Sequence, residues 1–216
     1  MLVERDGVLY AQPCKCKETK AVRRMIQRSG LMPEHRRIRL DDYKPCEATE
    51  AMFRCVEEYI ATFSINAAKE PKGMALMGTV GTGKTMLAIA VANSLLDRLI
   101  PTVFVTTPDL MAELQTAQFS ENGRELEDKI AFLASVDVVI FDDLAKEYAS
   151  EWKQIQYYRI IDARYRNRMP TIFTSNHDWD VITERLGDAT ASRLYEMTRG
   201  RQVWVEAENY RLRGVQ

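Results

Sequence analysis

Eight consecutive residues carry the clearest chemical signal in this sequence. They fit the pattern G-x-x-x-x-G-K-[ST], after a short apolar run and before a helix-like run. Glycines in such a pattern let backbone N–H groups turn towards phosphate oxygens, which larger side chains would block. The pattern therefore predicts a loop that binds the phosphates of a nucleoside triphosphate. Its members are Gly78, Thr79, Val80, Gly81, Thr82, Gly83, Lys84 and Thr85.

Two side chains at the end of this loop have predicted roles of their own. Lys84 is expected to reach the β- and γ-phosphates, and Thr85 offers a hydroxyl to Mg²⁺. The helix that begins here points its positive N-terminal end at the anion. We therefore predict ATP and Mg²⁺ as the ligands, with a chance glycine-rich turn as the alternative.

Carboxylates and an amide follow two later apolar runs. Asp142 and Asp143 end the run 138–141, and ligands collect at the carboxyl ends of parallel strands. Asp142 is predicted to help hold Mg²⁺, and Asp143 to orient and activate the attacking water. Asn176 is predicted to sense the γ-phosphate and that water through its amide. Solvated turn carboxylates and an ordinary turn asparagine are the alternatives.

The elements that must position these residues alternate between strands and helices. Apolar or β-branched runs predict strands at 74–77, 102–106, 136–141, 171–174 and 202–205. Between them, apolar residues recur at helical spacing, and the longest such stripe consists of Trp152, Ile155, Tyr158, Ile161 and Tyr165. This alternation implies right-handed crossovers and a parallel sheet covered on both faces. The predicted fold class is three-layer α/β.

The composition is that of an ordinary globular protein. The chain has 216 residues, 46% of them hydrophobic, and a net charge of −1, so no global attraction to nucleic acid is implied. We find neither a membrane-spanning apolar stretch nor a secretory signal at the start. The sequence predicts a cytoplasmic protein with no membrane partner.

The basic charge is concentrated near the N-terminus. We predict a basic segment over 1–44, with a short helix, followed by an ATPase domain over 45–216. A solvated tail is the alternative to an arm that docks on a partner or on phosphates. The basic residues are Lys15, Lys17, Lys20, Arg23, Arg24, Arg28, Arg36, Arg37 and Arg39.

Four cysteines, Cys14, Cys16, Cys46 and Cys55, are too sparse and irregular for a disulfide framework. Free thiols are the favoured interpretation. Cys14 and Cys16 look like half of a zinc site, but no second pair supplies the remaining two ligands of a tetrahedral ion.

The motifs together resemble the AAA+ class of ATPases, and within it the DnaC/IstB family. They are most similar to DnaC-type replicative helicase loaders of Gram-positive bacteria and their phages, which also carry a C-x-C pair. The resemblance spans roughly residues 40–213, and its specific parts are 78–85, 142–147 with Trp152, 170–176, 192–194 and 209–211. It implies an ATPase that assembles into rings or spirals, with an arginine finger entering the neighbour's site.

Arg193 matches the finger position, with Arg199 as the second choice and a surface salt bridge as the alternative. The segment 40–43 resembles an adenine pocket, although Leu40 stands where an aromatic residue is common. The chain ends soon after the last predicted strand, so we expect no C-terminal helical lid.

Three functions are compatible with these motifs. The first is a helicase loader that binds single-stranded DNA, its own copies and a DnaB-type hexameric helicase. The second is an IstB-like ATPase that assists a transposase, and the third is a P-loop kinase for a small molecule. For the loader, candidates for DNA contact are Arg124, Lys129 and Lys146.

Overall fold

The computed structural model describes residues 2–5, 8–11, 25–65, 73–120 and 123–209. Its strands are Leu2–Arg5 (β1), Val8–Ala11 (β2), Met74–Gly78 (β3), Thr102–Thr106 (β4), Val138–Asp142 (β5), Thr171–Ser175 (β6) and Gln202–Val205 (β7). Its α-helices are Glu50–Thr62 (α1), Lys84–Asp97 (α2), Thr107–Ala117 (α3), Arg124–Ser135 (α4), Glu151–Arg166 (α5), Trp179–Leu186 (α6) and Asp188–Thr198 (α7). Short 3₁₀ turns at His35–Arg37, Leu40–Asp42 and Glu47–Thr49 precede α1.

Strands β3 to β7 form one parallel sheet in the order β4-β5-β6-β3-β7. Helices α1 and α2 pack on one face, and α3 to α7 supply the core of the other. Because both faces are buried, successive side chains of a strand enter opposite cores. In β5, Val138 and Ile140 enter one core while Val139 and Phe141 enter the other. The predicted three-layer α/β fold is confirmed.

The long helix α5 buries only part of the predicted apolar stripe: Ile161 is fully buried, and Trp152 and Tyr165 pack against the core. Ile155 and Tyr158 are 49% and 38% exposed, whereas Tyr157 and Ile160 are buried. Apolar and aromatic residues occur nearly all round this helix, so spacing alone does not define its core side. The buried side also contains the charged residue Arg164, whose side chain has no exposed surface.

Two elements were not predicted from the sequence. Strands β1 and β2 pair as an antiparallel hairpin, with Leu2 opposite Ala11. Helix α7 is a separate helix because Gly187, with φ 87°, breaks the chain direction after α6.

Part of the basic N-terminal segment packs on β4 and α2. The carbonyl of Ser29 accepts a hydrogen bond of 2.7 Å from the backbone N–H of Phe104 in β4. The amide nitrogen of the buried Asn93, in α2, donates to the carbonyls of His35 and Ile38, at 2.8 Å each. These contacts attach Ser29 to β4, and His35 and Ile38 to the helix that follows the predicted phosphate-binding loop.

Two of the predicted basic arm residues also have partners within the chain. Arg36 contacts Asn93 and forms an ion pair of 3.1 Å with Asp97, which Arg39 approaches at 3.5 Å. These two arginines therefore have intramolecular contacts, and docking of the arm on an outside partner stays a prediction. The division of the chain at residues 44 and 45 stays a prediction.

Candidate functional site

The predicted phosphate-binding loop connects β3 to α2. Gly83 has φ 86° and is the N-cap residue of α2, a conformation that side chains with a Cβ rarely adopt. A Cβ at this position would also collide with the ring of Tyr43. The loop therefore requires glycine here, and the helix N-terminus faces the space where phosphates would bind.

The ammonium group of Lys84 lies inside this loop and is almost fully buried. It donates to the carbonyls of Gly78 at 2.8 Å and Thr79 at 2.6 Å, and to the hydroxyl of Thr82 at 3.2 Å. A phosphate is a stronger acceptor for an ammonium group than these neutral oxygens. Lys84 is thus positioned to exchange loop contacts for phosphate contacts.

Thr85 and Asp142 meet at the end of the loop. The hydroxyl of Thr85 lies 3.0 and 3.1 Å from the two carboxylate oxygens of Asp142, and Thr174 donates to one of them at 2.6 Å. Burial raises the pKa of Asp142, although both hydroxyls and the charge of Lys84 oppose that shift. A bound cation would offset the unfavourable effect of burial on the charged carboxylate, because an opposite charge nearby favours the ionised form.

The donor set fits Mg²⁺. A buried carboxylate beside a hydroxyl offers the hard oxygen ligands that this ion prefers. The hydroxyls of Thr85 and Thr174 both contact this carboxylate. Thr85 and Asp142 are therefore the residues of this chain that could hold Mg²⁺.

Asp143 has a different environment from its neighbour. Its backbone has φ 56°. Its N–H donates to the hydroxyl of Thr174 at 3.0 Å, and its carbonyl accepts from the hydroxyl of Thr107 at 2.7 Å. Its carboxylate is partly exposed and accepts a hydrogen bond of 3.0 Å from Lys146. Unfavourable backbone geometry of this kind concentrates at functional sites. The predicted water-activating carboxylate faces solvent while Asp142 is buried.

Asn176 directly follows β6, which lies between the loop strand β3 and the aspartate strand β5. The register pairs Met77 with Ser175, so Asn176 lies at the same edge of the sheet as the loop. The structure therefore brings the end of β3, the two aspartates and Asn176 to one edge. Their chemical roles stay predictions.

The sequence did not reveal the role of Thr174. Its hydroxyl contacts the carboxylate of Asp142 and accepts from the backbone of Asp143, so it fixes both aspartates. The sequence holds no distinctive signal for it, because β6 also contains the hydroxyl residues Thr171 and Ser175. Recognising it requires knowing that β5 and β6 are neighbours.

Tyr43 connects the predicted adenine-pocket segment to the loop. Its hydroxyl donates to the carbonyl of Thr82 at 2.8 Å, and its ring stacks on Phe53 with centroids 6.0 Å apart. Leu40, three residues earlier, packs against the core instead of presenting a ring. The segment lies beside the loop as the resemblance implied, and its contact with adenine stays a prediction.

Arg193 lies on α7 and contacts α5, away from the loop of its own chain. Its Nε pairs with Asp162 at 2.9 Å, and its guanidinium carbon is 4.9 Å from the ring centre of Tyr158. Arg199 lines a cavity of about 540 Å³ together with Arg54 and Arg201. Neither arginine is brought to the chain's own nucleotide site, so a finger role requires a second copy.

The remaining site predictions concern cysteines, metals and membranes. Cys14 and Cys16 lie outside the described residues, whereas Cys46 and Cys55 are half-buried thiols. Where the structure describes the chain, no three His, Cys, Asp or Glu side chains gather as a metal site. Among the same residues, no helix has the length and apolar character needed to span a membrane.

The parallel sheet, the phosphate-binding loop after β3 and the carboxylates after β5 define a P-loop ATPase of the AAA+ class. The chain belongs to the family described as IstB-like ATP binding protein, whose model matches residues 3–215.

Individual relatives confirm the expected resemblance to helicase loaders. The replicative helicase loader DnaC of Escherichia coli strain K12 is 27% identical over 88% of this chain and 75% of the relative. The phage-like element PBSX protein XkdC of Bacillus subtilis strain 168 is 27% identical over 99% of this chain and 83% of that protein. A crystal structure of the DnaC helicase loader matches with a TM-score of 0.69 and 25% identity, covering 81% of this chain and 99% of that chain.

Proposed function

We propose that this chain is a cytoplasmic, ATP-switched loader that delivers a DnaB-type hexameric helicase to single-stranded DNA. The observation that carries the proposal is the likeness to the loader DnaC over 88% of the chain. The contact between Thr85 and Asp142, where a metal–nucleotide complex would bind, supports the use of ATP. Residues 1–44 would dock on the helicase, and residues 45–216 would form the ATPase domain.

Hydrolysis would use residues at the edge of the sheet. Lys84 would leave the carbonyls of Gly78 and Thr79 to bind the β- and γ-phosphates, while Thr85 and Asp142 would hold Mg²⁺. When bound, Mg²⁺ would withdraw charge from the phosphate oxygens. Asp143 would orient the attacking water, and Asn176 would contact both that water and the γ-phosphate.

Arg193 is proposed to complete the site of a neighbouring subunit in a ring or spiral. Its planar guanidinium can bridge oxygens of the transferred phosphoryl group. In a single chain, Asp162 and Tyr158 hold this side chain on the surface of α5. Asp143 and Arg193 would then act in the same site only when they come from different subunits.

Mixing two inactive variants tests this arrangement. Arg193→Ala and Asp143→Asn should each be inactive, but their equimolar mixture should recover up to about a quarter of wild-type ATPase activity. The reason is that one neighbouring pair in four combines an intact Asp143 with an intact Arg193. ATP hydrolysis is measured by phosphate release, and assembly by light scattering.

The matched control mixes Lys84→Ala with Asp143→Asn. Lys84 and Asp143 belong to the same subunit of each site, the one whose loop binds the nucleotide. Every site in this mixture therefore lacks one of the two residues, and no recovery is expected. Normal assembly without recovery in the Arg193→Ala mixture would contradict the trans role of Arg193.

A second candidate is a target-selecting ATPase that assists a transposase, and the IstB-like family match favours it. Co-purification of the full chain with the host's replicative helicase distinguishes the two. We expect ATP-dependent capture of the helicase, and loss of capture when residues 1–24 are removed. This deletion leaves the contacts of Ser29 and His35 with the ATPase domain in place. Failure of the full chain to capture the helicase would favour the transposition ATPase.

A further inference from the structure

The chain that follows β7 lies against the phosphate-binding loop. The backbone N–H of Thr79 donates to the carbonyl of Val205 at 3.0 Å. The hydroxyl of Thr79 donates to the carbonyl of Ala207 at 2.9 Å and accepts from the N–H of Ala207 at 3.2 Å. One loop residue is therefore tied to this segment through both its backbone and its side chain.

A second contact lies further along the same segment. Asn209 packs directly on Gly81, so that a Cβ at Gly81 would overlap both the side chain and the Cα of Asn209. Gly81 has φ 82°, which independently favours glycine. Asn209 is also the first residue of the segment 209–211, which is one of the specific parts of the resemblance to the DnaC/IstB family.

These contacts reach the group predicted to bind phosphate. Thr79 is the residue that forms the two hydrogen bonds with Ala207. Its carbonyl accepts hydrogen bonds from the Lys84 ammonium at 2.6 Å and from the Thr82 hydroxyl at 3.1 Å. A glycine-rich loop has little intrinsic stiffness, because glycine has more accessible backbone conformations than other residues. Contacts from outside the loop must therefore help to fix its N–H groups in one arrangement.

We infer that Thr79, Ala207 and Asn209 are positioning residues, through which the segment after β7 holds the phosphate-binding loop in its binding conformation. The inference rests on the proposed ATPase function and deepens it. It couples nucleotide affinity to the segment that follows β7. The residues need not touch the reacting atoms, since they act through the loop.

The test compares Thr79→Val and Asn209→Ala with wild type in full-length protein. Thr79→Val keeps the side-chain shape but removes both hydrogen bonds to Ala207, while Asn209→Ala removes the amide that covers Gly81. Each should raise the Kd and KM for Mg-ATP about 3- to 10-fold and change kcat less than about 2-fold, since bound substrate and transition state lose the same contacts. Fluorescent-nucleotide titration and steady-state kinetics give the three constants.

Two further variants act as controls. Thr79→Ser retains the hydroxyl and should restore wild-type Kd and KM. Thr116→Val, at an exposed position of α3 where the hydroxyl donates to the carbonyl of Ala112 in its own helix, should leave all three constants unchanged. Thermal melts of every variant identify a loss of folding, and Asn209→Ala decides the inference if Thr79→Val does not fold.

Failure of the inference and failure of the proposed function give different results. If Lys84→Ala abolishes hydrolysis while Thr79→Val and Asn209→Ala keep wild-type KM, the positioning role is wrong and the ATPase function stands. A lower kcat at unchanged KM also overturns it, because that result indicates a smaller active fraction. If the wild type binds ATP without hydrolysing it, the proposed function fails, and the Kd values alone decide the positioning role.

Discussion

Replacing Lys84 with alanine should lower the rate of ATP hydrolysis by at least about 100-fold, as expected when a preorganised charge at a phosphoryl-transfer site is removed. The ammonium is almost fully buried, so its charge acts in a poorly screened environment. It donates hydrogen bonds to the carbonyls of Gly78 and Thr79 at the centre of the loop. Phosphate release at saturating ATP is the measurement.

The control for this variant is Lys129→Ala. Lys129 is exposed and pairs with Glu113 on the surface, so its loss should leave hydrolysis without DNA within about 2-fold of wild type. Circular dichroism establishes that both variants fold. Wild-type hydrolysis by a folded Lys84→Ala protein would show that residues 78–85 are not the phosphate-binding loop.

The loop and the strands could be predicted because their signals are local. The glycines and Lys84 are close in sequence, and their spacing reflects the geometry of one turn between a strand and a helix. The strands are short apolar runs because both faces of a parallel sheet are buried. The carboxyl ends of such strands meet at one edge, which is why Asp142 and Asn176 could be assigned to the same site.

The contacts that hold the site could not be predicted, because they join residues far apart in sequence. Tyr43 reaches Thr82 from before the ATPase sheet, and Asn209 reaches Gly81 from beyond its last strand. Thr174 orients Asp142 only because β5 and β6 are neighbours. Each is an ordinary polar residue until the topology is known, so spacing along the chain gives no signal for it.

Arg164 is the clearest case of a residue whose role only the fold reveals. Arg166, two residues later on α5, is 71% exposed, but the side chain of Arg164 is fully buried. Its guanidinium donates to the hydroxyl of Thr171 at 2.9 Å and to four backbone carbonyls at 2.6 to 3.3 Å, those of Leu133, Val136, Asp137 and Pro170. It therefore ties the end of α4 to the starts of β5 and β6. Burial lowers the pKa of Arg164 to about 9, so the group remains charged at neutral pH.

Replacing Arg164 with methionine should lower the free energy of unfolding by about 3 kcal/mol, because buried carbonyls lose their donors while methionine fills much of the same volume. The loss is smaller than the number of hydrogen bonds suggests, since the variant no longer desolvates a charge. Urea denaturation followed by circular dichroism measures the change. Arg166→Met is the matched control, because Arg166 lies on the same helix but is 71% exposed and forms a surface ion pair with Asp162. That control should change the free energy by less than about 0.5 kcal/mol. Equal losses in the two variants would mean that the buried guanidinium does not hold these strands together.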